Sequence, residues 1–226
     1  MCNTANKKAE KGSKYWMQEI VNNEFLRKEL ENKLKNESLK WISPLENESY
    51  NEYKLTEDKL KEKIPDLQDV DFSFWPKNGP EWDAIALAED GRVLYLFEAK
   101  SYEKEMKSSM SATSDISIEK ICGSMRRVCE EFYKNEYKSS LWEKEYYQMG
   151  NRLTFLYNMN HKMKFDTIKK VKLVLLNIVY DITHDNNKRT QLEAWKQHYE
   201  YVFEEMTGSK NVPEDVIMLY FHCGFC

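Results

Sequence analysis

The sequence predicts an α/β protein with three α/β/α layers around a central mixed β-sheet, folded as a single domain over residues 1–226. Three observations lead there. A hairpin over residues 83–100 is apolar on both faces, the run VKLVLLNIVYDI from Val171 is apolar almost throughout, and both lie among segments with helical apolar spacing. A sheet that is apolar on both sides has to be covered on both sides, which calls for helices above and below it.

In chain order, residues 1–13 are polar and are expected to be disordered. Trp16, Ile20, Leu26, Leu30 and Leu34 then recur at helical intervals and predict one amphipathic helix. Pro44 in the stretch WISPL breaks that pattern, and the charged segment to Lys63 adds a short helix. Val70, Phe72 and Phe74 alternate with Asp69, Asp71 and Ser73, the pattern of a half-buried strand that Pro76, Gly79 and Pro80 would end. The hairpin follows, with Asp90-Gly91 as its two-residue turn. Beyond the serine-rich stretch SSMSATSD, Ile118, Ile121, Cys122, Met125, Val128, Cys129 and Phe132 predict a helix capped by Ser114 or Asp115. A second helix runs through Trp142, Tyr146, Met149, Leu153 and Leu156. The apolar strand from Val171, a helix over Gln191–Met206 and a last strand, DVIMLYFH, complete the chain.

The Asp90-Gly91 turn fixes the hairpin register. Glu89 faces Arg92, and pairing outward from there brings Asp83 opposite Glu98. Facing residues have Cβ atoms about 4.5–5.5 Å apart, and like charges there are destabilising. Lys100 projects from the same face as Glu98, two residues on. The rest of that face is Ile85, Leu87, Leu94 and Leu96. Two facing carboxylates form a hard oxygen site suited to Mg²⁺, and a cation between them offsets their repulsion. The ordinary alternative is a Glu98–Lys100 ion pair at a strand end, with Asp83 solvated.

With Asp83 and the tripeptide Glu98-Ala99-Lys100 placed on this order of elements, the chain resembles the PD-(D/E)xK nucleases of the restriction endonuclease-like fold. Their core is one helix, a three-stranded meander, a crossover helix and a returning strand (αβββαβ). One departure is plain: Trp82, not proline, precedes Asp83, and the nearest proline is Pro80. The resemblance implies a metal-dependent nuclease that hydrolyses phosphodiester bonds, with DNA as substrate. It implies Mg²⁺, with Mn²⁺ as a substitute, held by Asp83, Glu98 and the backbone carbonyl of Ala99, and Lys100 placing the water or the scissile phosphate. Relatives often recruit a further acid; Glu52 is preferred to Glu48 for that role, an ordinary solvated glutamate being the alternative. Gln148, Asn151 and Arg152 resemble a polar helix motif of the superfamily and are candidates to meet a phosphate or base. Restriction enzymes of this fold commonly work as homodimers. The rival reading is a non-catalytic nucleic-acid-binding or protein-interaction module that keeps the fold.

Composition bounds these readings. Apolar residues make up 41% and charged residues 32% of the chain, a globular balance. No apolar run approaches the ~20 residues that span a bilayer, and the N-terminus lacks a secretory pattern, so a cytoplasmic location is expected. A net charge of −4 argues against a protein that coats nucleic acid through bulk electrostatics, though not against a local basic groove. Arg126, Arg127 and the lysines of HKMKFDTIKKVK are candidates for such contacts, with solvated helix ends explaining them equally well. Five cysteines are too few for a disulfide scaffold. The Cys-x-x-Cys of HCGFC and the pair Cys122 and Cys129 are weak zinc signals beside the simpler reading of buried cysteines.

Overall fold

The computed structural model describes residues 8–35 and 38–223. Its elements, in chain order, are α1 (Gly12–Asn22), α2 (Glu24–Lys33), β1 (Leu39–Ser43), β2 (Tyr53–Lys54), α3 (Asp58–Lys63), β3 (Glu81–Trp82), β4 (Ala84–Ala88) and β5 (Val93–Lys100). They continue with α4 (Asp115–Arg127), α5 (Ser139–Trp142), α6 (Tyr147–His161), β6 (Lys170–Val179), α7 (Leu192–Thr207) and β7 (Val216–His222). The main sheet is mixed and five-stranded in the order β1-β4-β5-β6-β7, antiparallel through β1, β4 and β5 and parallel through β5, β6 and β7.

Each face of this sheet carries its own core. Trp16, Ile20 and Leu30 of α1 and α2 pack on Ala84, Ala86, Tyr95, Phe97, Leu176 and Phe221. On the other face Ile121 and Met125 of α4, Leu153 and Phe155 of α6, and Trp195 and Phe203 of α7 cover Ile85, Leu94, Leu96, Leu173 and Leu175. The sheet is therefore the middle of three layers, as its two-sided apolar strands require. Among the described residues no helix is long and apolar enough to cross a membrane.

The hairpin register matches the sequence expectation, with Ala84 opposite Phe97, Ile85 opposite Leu96 and Leu87 opposite Leu94. Ser114 caps α4 by accepting from the Ser117 amide at 3.2 Å. Strands β6 and β7 and helix α7 also form where their patterns place them.

Five expectations need correction. The helix expected to run through Trp142, Tyr146 and Leu156 is two, α5 ending at Trp142 and α6 starting at Tyr147, with Tyr146 between them bridged to Ser108. The first helix is two helices, because Asn23 takes an extended conformation and its side chain accepts from the amides of Phe25 and Leu26 at 3.0 and 3.2 Å, starting a new helix. Residues 70–74 form no strand. Asp71 accepts from the amide and hydroxyl of Ser73 at 2.8 and 2.9 Å, folding the backbone into a local turn that competes with sheet pairing. The alternation there is still a burial pattern, since Phe74 and Trp75 pack edge-on to Phe155 with ring centroids 4.9 and 5.3 Å away. The third strand of the antiparallel meander is instead β1, directly before Pro44, bulged between Trp41 and Ser43. Finally, residues 8–13 are ordered: the Ala9 amide donates to Gln18 at 2.7 Å, Lys8 pairs with Glu19 at 2.6 Å, and α1 starts at Gly12. Residues 1–7, the rest of the segment expected to be disordered, lie outside the described residues.

Helix α6 lies close against its neighbours at Gly150. A Cβ added there would meet Trp142 Cε3 at 3.0 Å, the Trp142 carbonyl oxygen at 3.2 Å and Met125 Cε at 3.2 Å. Alanine would gain up to about 1 kcal/mol of helix propensity, but overpacking against a fixed carbonyl costs roughly 1–3 kcal/mol. Gly150→Ala should therefore be net destabilising by about 1 kcal/mol, read as a lower urea midpoint at unchanged slope.

Candidate functional site

Asp83 sits between two ladders. Strand β3 pairs with β2 in a small separate sheet, Tyr53 opposite Trp82 and Lys54 opposite Glu81, while β4 starts at Ala84 in the main sheet. One step beyond the paired residues, the small ladder's register sets Glu52 opposite Asp83. The backbone amide of Asp83 donates to the Phe97 carbonyl at 3.2 Å, where the hairpin register would call for the Glu98 carbonyl. The ladder ends at Ala84 and Phe97, and Asp83 is one step out of register instead of directly opposite Glu98 as expected. Its Oδ2 accepts from the Ala99 amide at 2.7 Å. In an extended strand the amide and carbonyl of one residue point to the same side, so the Ala99 carbonyl projects toward the Asp83 edge as well.

Glu98 and Lys100 leave β5 on the face covered by α6. Glu98 is 5% exposed. One of its oxygens takes a short bond from Lys100 Nζ, and the other accepts from Arg152 Nε at 2.7 Å and Nη2 at 2.5 Å. Lys100 also donates to Gln148 Oε1 at 3.0 Å. Arg152 reaches further, donating to the Glu81 carbonyl at 2.7 Å and to Asn151 Oδ1 at 3.1 Å, with its guanidinium 4.3 Å over the Trp82 ring. Glu98, Lys100, Gln148 and Arg152, with Met106 and Tyr199, enclose a cavity of about 10 Å³, room for about one water beside the lysine.

The charges are strongly unequal. Asp83 retains partial solvent access, but protein surrounds it on most sides; burial, then the negative charge of Glu98, pushes its pKa up to about 7. Burial would raise Glu98 too, yet the charges of Arg152 and Lys100 outweigh it and hold Glu98 at about 2. Burial would lower Lys100, but Glu98 and Asp83 together keep it above its ordinary value. Lys100 is therefore a fixed ammonium and not a general base. Glu52, one-seventh exposed and paired with Lys14 at 3.1 Å, is raised by burial, and the charges of Glu81 and Glu98 add to the effect.

The expected residues are thus distributed as follows. Asp83, Glu98, Ala99 and Lys100 share one end of the hairpin, with Glu52 beside Asp83. Gln148 faces them through Lys100. Asn151 and Arg152 are 4% exposed each, and their contacts lie within the protein, so they support Glu98 where the sequence reading turned them toward substrate. Glu48 is engaged elsewhere, by Tyr53 at 2.8 Å and by Lys63. Sequence reasoning missed Trp82 as the surface under Arg152 and the Glu81 carbonyl as its anchor. It also missed the β2–β3 pairing that delivers Glu52, since no local pattern announces a two-residue ladder.

The residues present fit a hard divalent cation. Asp83 Oδ1 has no hydrogen-bond partner among the described residues, the Glu98 oxygen bonded to Lys100 keeps one lone pair while the other is filled by the two Arg152 donors, and the Ala99 carbonyl adds a neutral ligand. A raised carboxylate beside a depressed one is the electrostatic conflict that a cation relieves. As placed, no three carboxylate, imidazole or thiol side chains among the described residues gather around one point.

The other candidates are weaker. Burial pushes the thiols of Cys122 and Cys129 up to about 11, which disfavours the thiolate a metal needs. Cys223 is buried, and Cys226 lies outside the described residues. Arg126 pairs with Glu130 at 3.7 Å, while Arg127, Lys162 and Lys164 line a groove that also holds Asp69 and Asp71.

Asp83 sets a stability prediction. Its folded pKa of about 7 lies above the unfolded 3.8, so the folded state holds the proton more tightly and stability falls as pH rises from about 4 to about 7. Asp83→Asn removes this titration while keeping an acceptor for Ala99. The variant should exceed wild type by about 1–4 kcal/mol in urea unfolding at pH 8, the lower part of the range reflecting residual solvent, and match it near pH 4.

No family model, curated protein or solved structure matches this chain.

Proposed function

We propose that the chain is a metal-dependent phosphodiesterase of the PD-(D/E)xK type acting on nucleic acid, DNA in the first instance. One observation carries the reading: Asp83, Glu98 and Lys100 lie together at one end of a two-sided hairpin, with one Asp83 oxygen free of hydrogen-bond partners among the described residues. The element order supports it. Helix α1, the antiparallel β1-β4-β5 meander, a helical crossover and the parallel β6 follow the restriction endonuclease-like core.

In this reading Asp83, Glu98 and the Ala99 carbonyl hold Mg²⁺ or Mn²⁺, with Glu52 as a further acid. The bound ion would supply a water of lowered pKa and stabilise charge on the phosphoryl oxygens. Lys100, kept cationic by Glu98 and Asp83, orients the water or the scissile phosphate as a compact point charge. Gln148 fixes the lysine head, and Arg152 fixes Glu98. Because Asp83 must lose its proton to take metal, affinity for Mg²⁺ should rise about tenfold per pH unit below about 7 and level off above it.

The test is nicking of supercoiled plasmid and of labelled single-stranded DNA and RNA with Mg²⁺ or Mn²⁺, against EDTA. Divalent-dependent cleavage supports the reading, and the preferred substrate names the nucleic acid. No cleavage, together with no shift in melting temperature on adding either metal, would sink it. A second reading, a non-catalytic module, is favoured by one observation. Lys100 and Arg152 both pair with Glu98, so its charge is met within the protein.

A further inference from the structure

The chain leaves β5 at Lys100, and Tyr102, at most about 7 Å along it, enters a groove outside the carboxyl ends of β5 and β6. The groove has a volume of about 430 Å³, and its walls include Tyr102, Lys104, Lys188, Arg189 and Gln191. Lys188 Nζ lies 5.9 Å from the centre of the Tyr102 ring. Arg189 lies 5.3 Å over Tyr180, a ring 42% exposed on a residue with a left-handed φ of 56°. The guanidinium of Arg189 is fixed by the carbonyls of His184 and Ile182 at 2.9 and 3.3 Å. Among the described lining residues the one acid is Glu103, which turns to His198 Nδ1 at 2.7 Å. A chain of net charge −4 thus presents, beside its carboxylate site, a concave surface where three cations face one occupied acid.

This chemistry matches one kind of ligand. Cations spaced along a groove meet backbone phosphates, and an aromatic ring among them offers a face to a base. A duplex keeps its base faces hidden in the stack, so the aromatic contact is open only to unpaired bases. Resting on the nuclease reading, we propose that this groove grips a single-stranded segment of the nucleic-acid substrate. Lys104, Lys188 and Arg189 take its phosphates, Tyr102 stacks on a base, and the strand is led toward Lys100.

The test measures binding apart from cleavage. Fluorescence anisotropy of a labelled oligothymidine of about 12 nucleotides, and of a duplex of equal length, is followed in EDTA with the full chain. Lys104→Glu/Lys188→Glu changes two exposed side chains and should lower single-strand affinity at least tenfold. It should also flatten the dependence of log K on log salt by about 1.4. Tyr102→Ala should weaken the single strand about fivefold or more and leave the duplex unchanged. Melting temperatures identify any variant that loses affinity through misfolding, and Tyr102→Phe, which keeps the ring, should then retain binding. Unchanged affinity in the lysine variant overturns the proposal, as does a duplex bound as tightly as the single strand. Single-strand binding through the groove without divalent-dependent cleavage would retire the nuclease reading and keep the groove. Cleavage unaffected by the lysine variant would do the reverse.

Discussion

Arg152→Ala is expected to lower the unfolding free energy by about 3–5 kcal/mol, the usual effect of removing one partner from a buried ion pair. The loss has three sources. Glu98 keeps only Lys100 as a counter-charge, the Glu81 carbonyl loses a donor at 2.7 Å, and the Trp82 face loses a cation at 4.3 Å. The pH dependence separates the first from the others. Glu98 is held at about 2 in the folded chain, so its contribution is present above the ordinary 4.5 and is lost as pH falls toward 2. The deficit of the variant should therefore shrink below about pH 4. Arg152→Lys should fall between the two, since it keeps the charge but loses the fork that holds one Glu98 oxygen twice. A deficit under about 1 kcal/mol at pH 7, measured by urea unfolding, would mean that Arg152 is not what holds Glu98 ionised.

If the chain is the metal-dependent nuclease proposed above, Lys100→Met should reduce its divalent-dependent cleavage by about 10²–10³-fold, the loss typical when one positioned cation or donor is removed from a site of developing charge. Methionine matches the length of the stem, and Arg152 still neutralises Glu98, so the fold and the proposed metal donors Asp83, Glu98 and Ala99 remain. Metal affinity, followed by the Mg²⁺-dependent shift in melting temperature, should be at least that of wild type, because a competing cation has gone. Rate and affinity both unchanged would exclude Lys100 from the chemistry. Loss of affinity in place of rate would make it an organiser of the carboxylates.

The contrast between the hairpin and its surroundings shows what a single sequence makes legible. Asp90-Gly91 is a local signal with a fixed geometry, so the register of Ala84 to Phe97 could be read directly, but not the break at Asp83, whose amide turns to Phe97 in place of Glu98. The layered α/β/α arrangement was equally readable, because apolar residues on both faces of a strand leave few other solutions. Strand β1 was not. Its Leu39, Trp41 and Ile42 precede a proline, and only pairing with β4, more than forty positions away, makes a strand of them. Residues 70–74 misled because alternating burial served an aromatic cluster around Phe155 while Asp71 closed a turn. Arg152 was read as turned toward substrate for a related reason. Its helix is buried on most sides, so spacing alone could not say which face met Glu98.

The N-terminal helix has one more implication, for how the chain is made. Trp16 donates to Asp181 at 2.8 Å across 165 positions, the Gly12 amide donates to Thr183 at 2.9 Å, and the α1–α2 layer rests partly on Leu219 and Phe221 of the last strand. Helices α1 and α2 are thus synthesised well before the strands β6 and β7 that complete their cover. Until β6 and β7 emerge, Trp16, Ile20 and Leu30 have no finished surface to rest on, and closing so long a loop is an entropic penalty met late. Until those strands emerge the nascent chain carries an uncovered apolar patch, a natural handle for a holding chaperone and a region where a product stalled before β6 would aggregate.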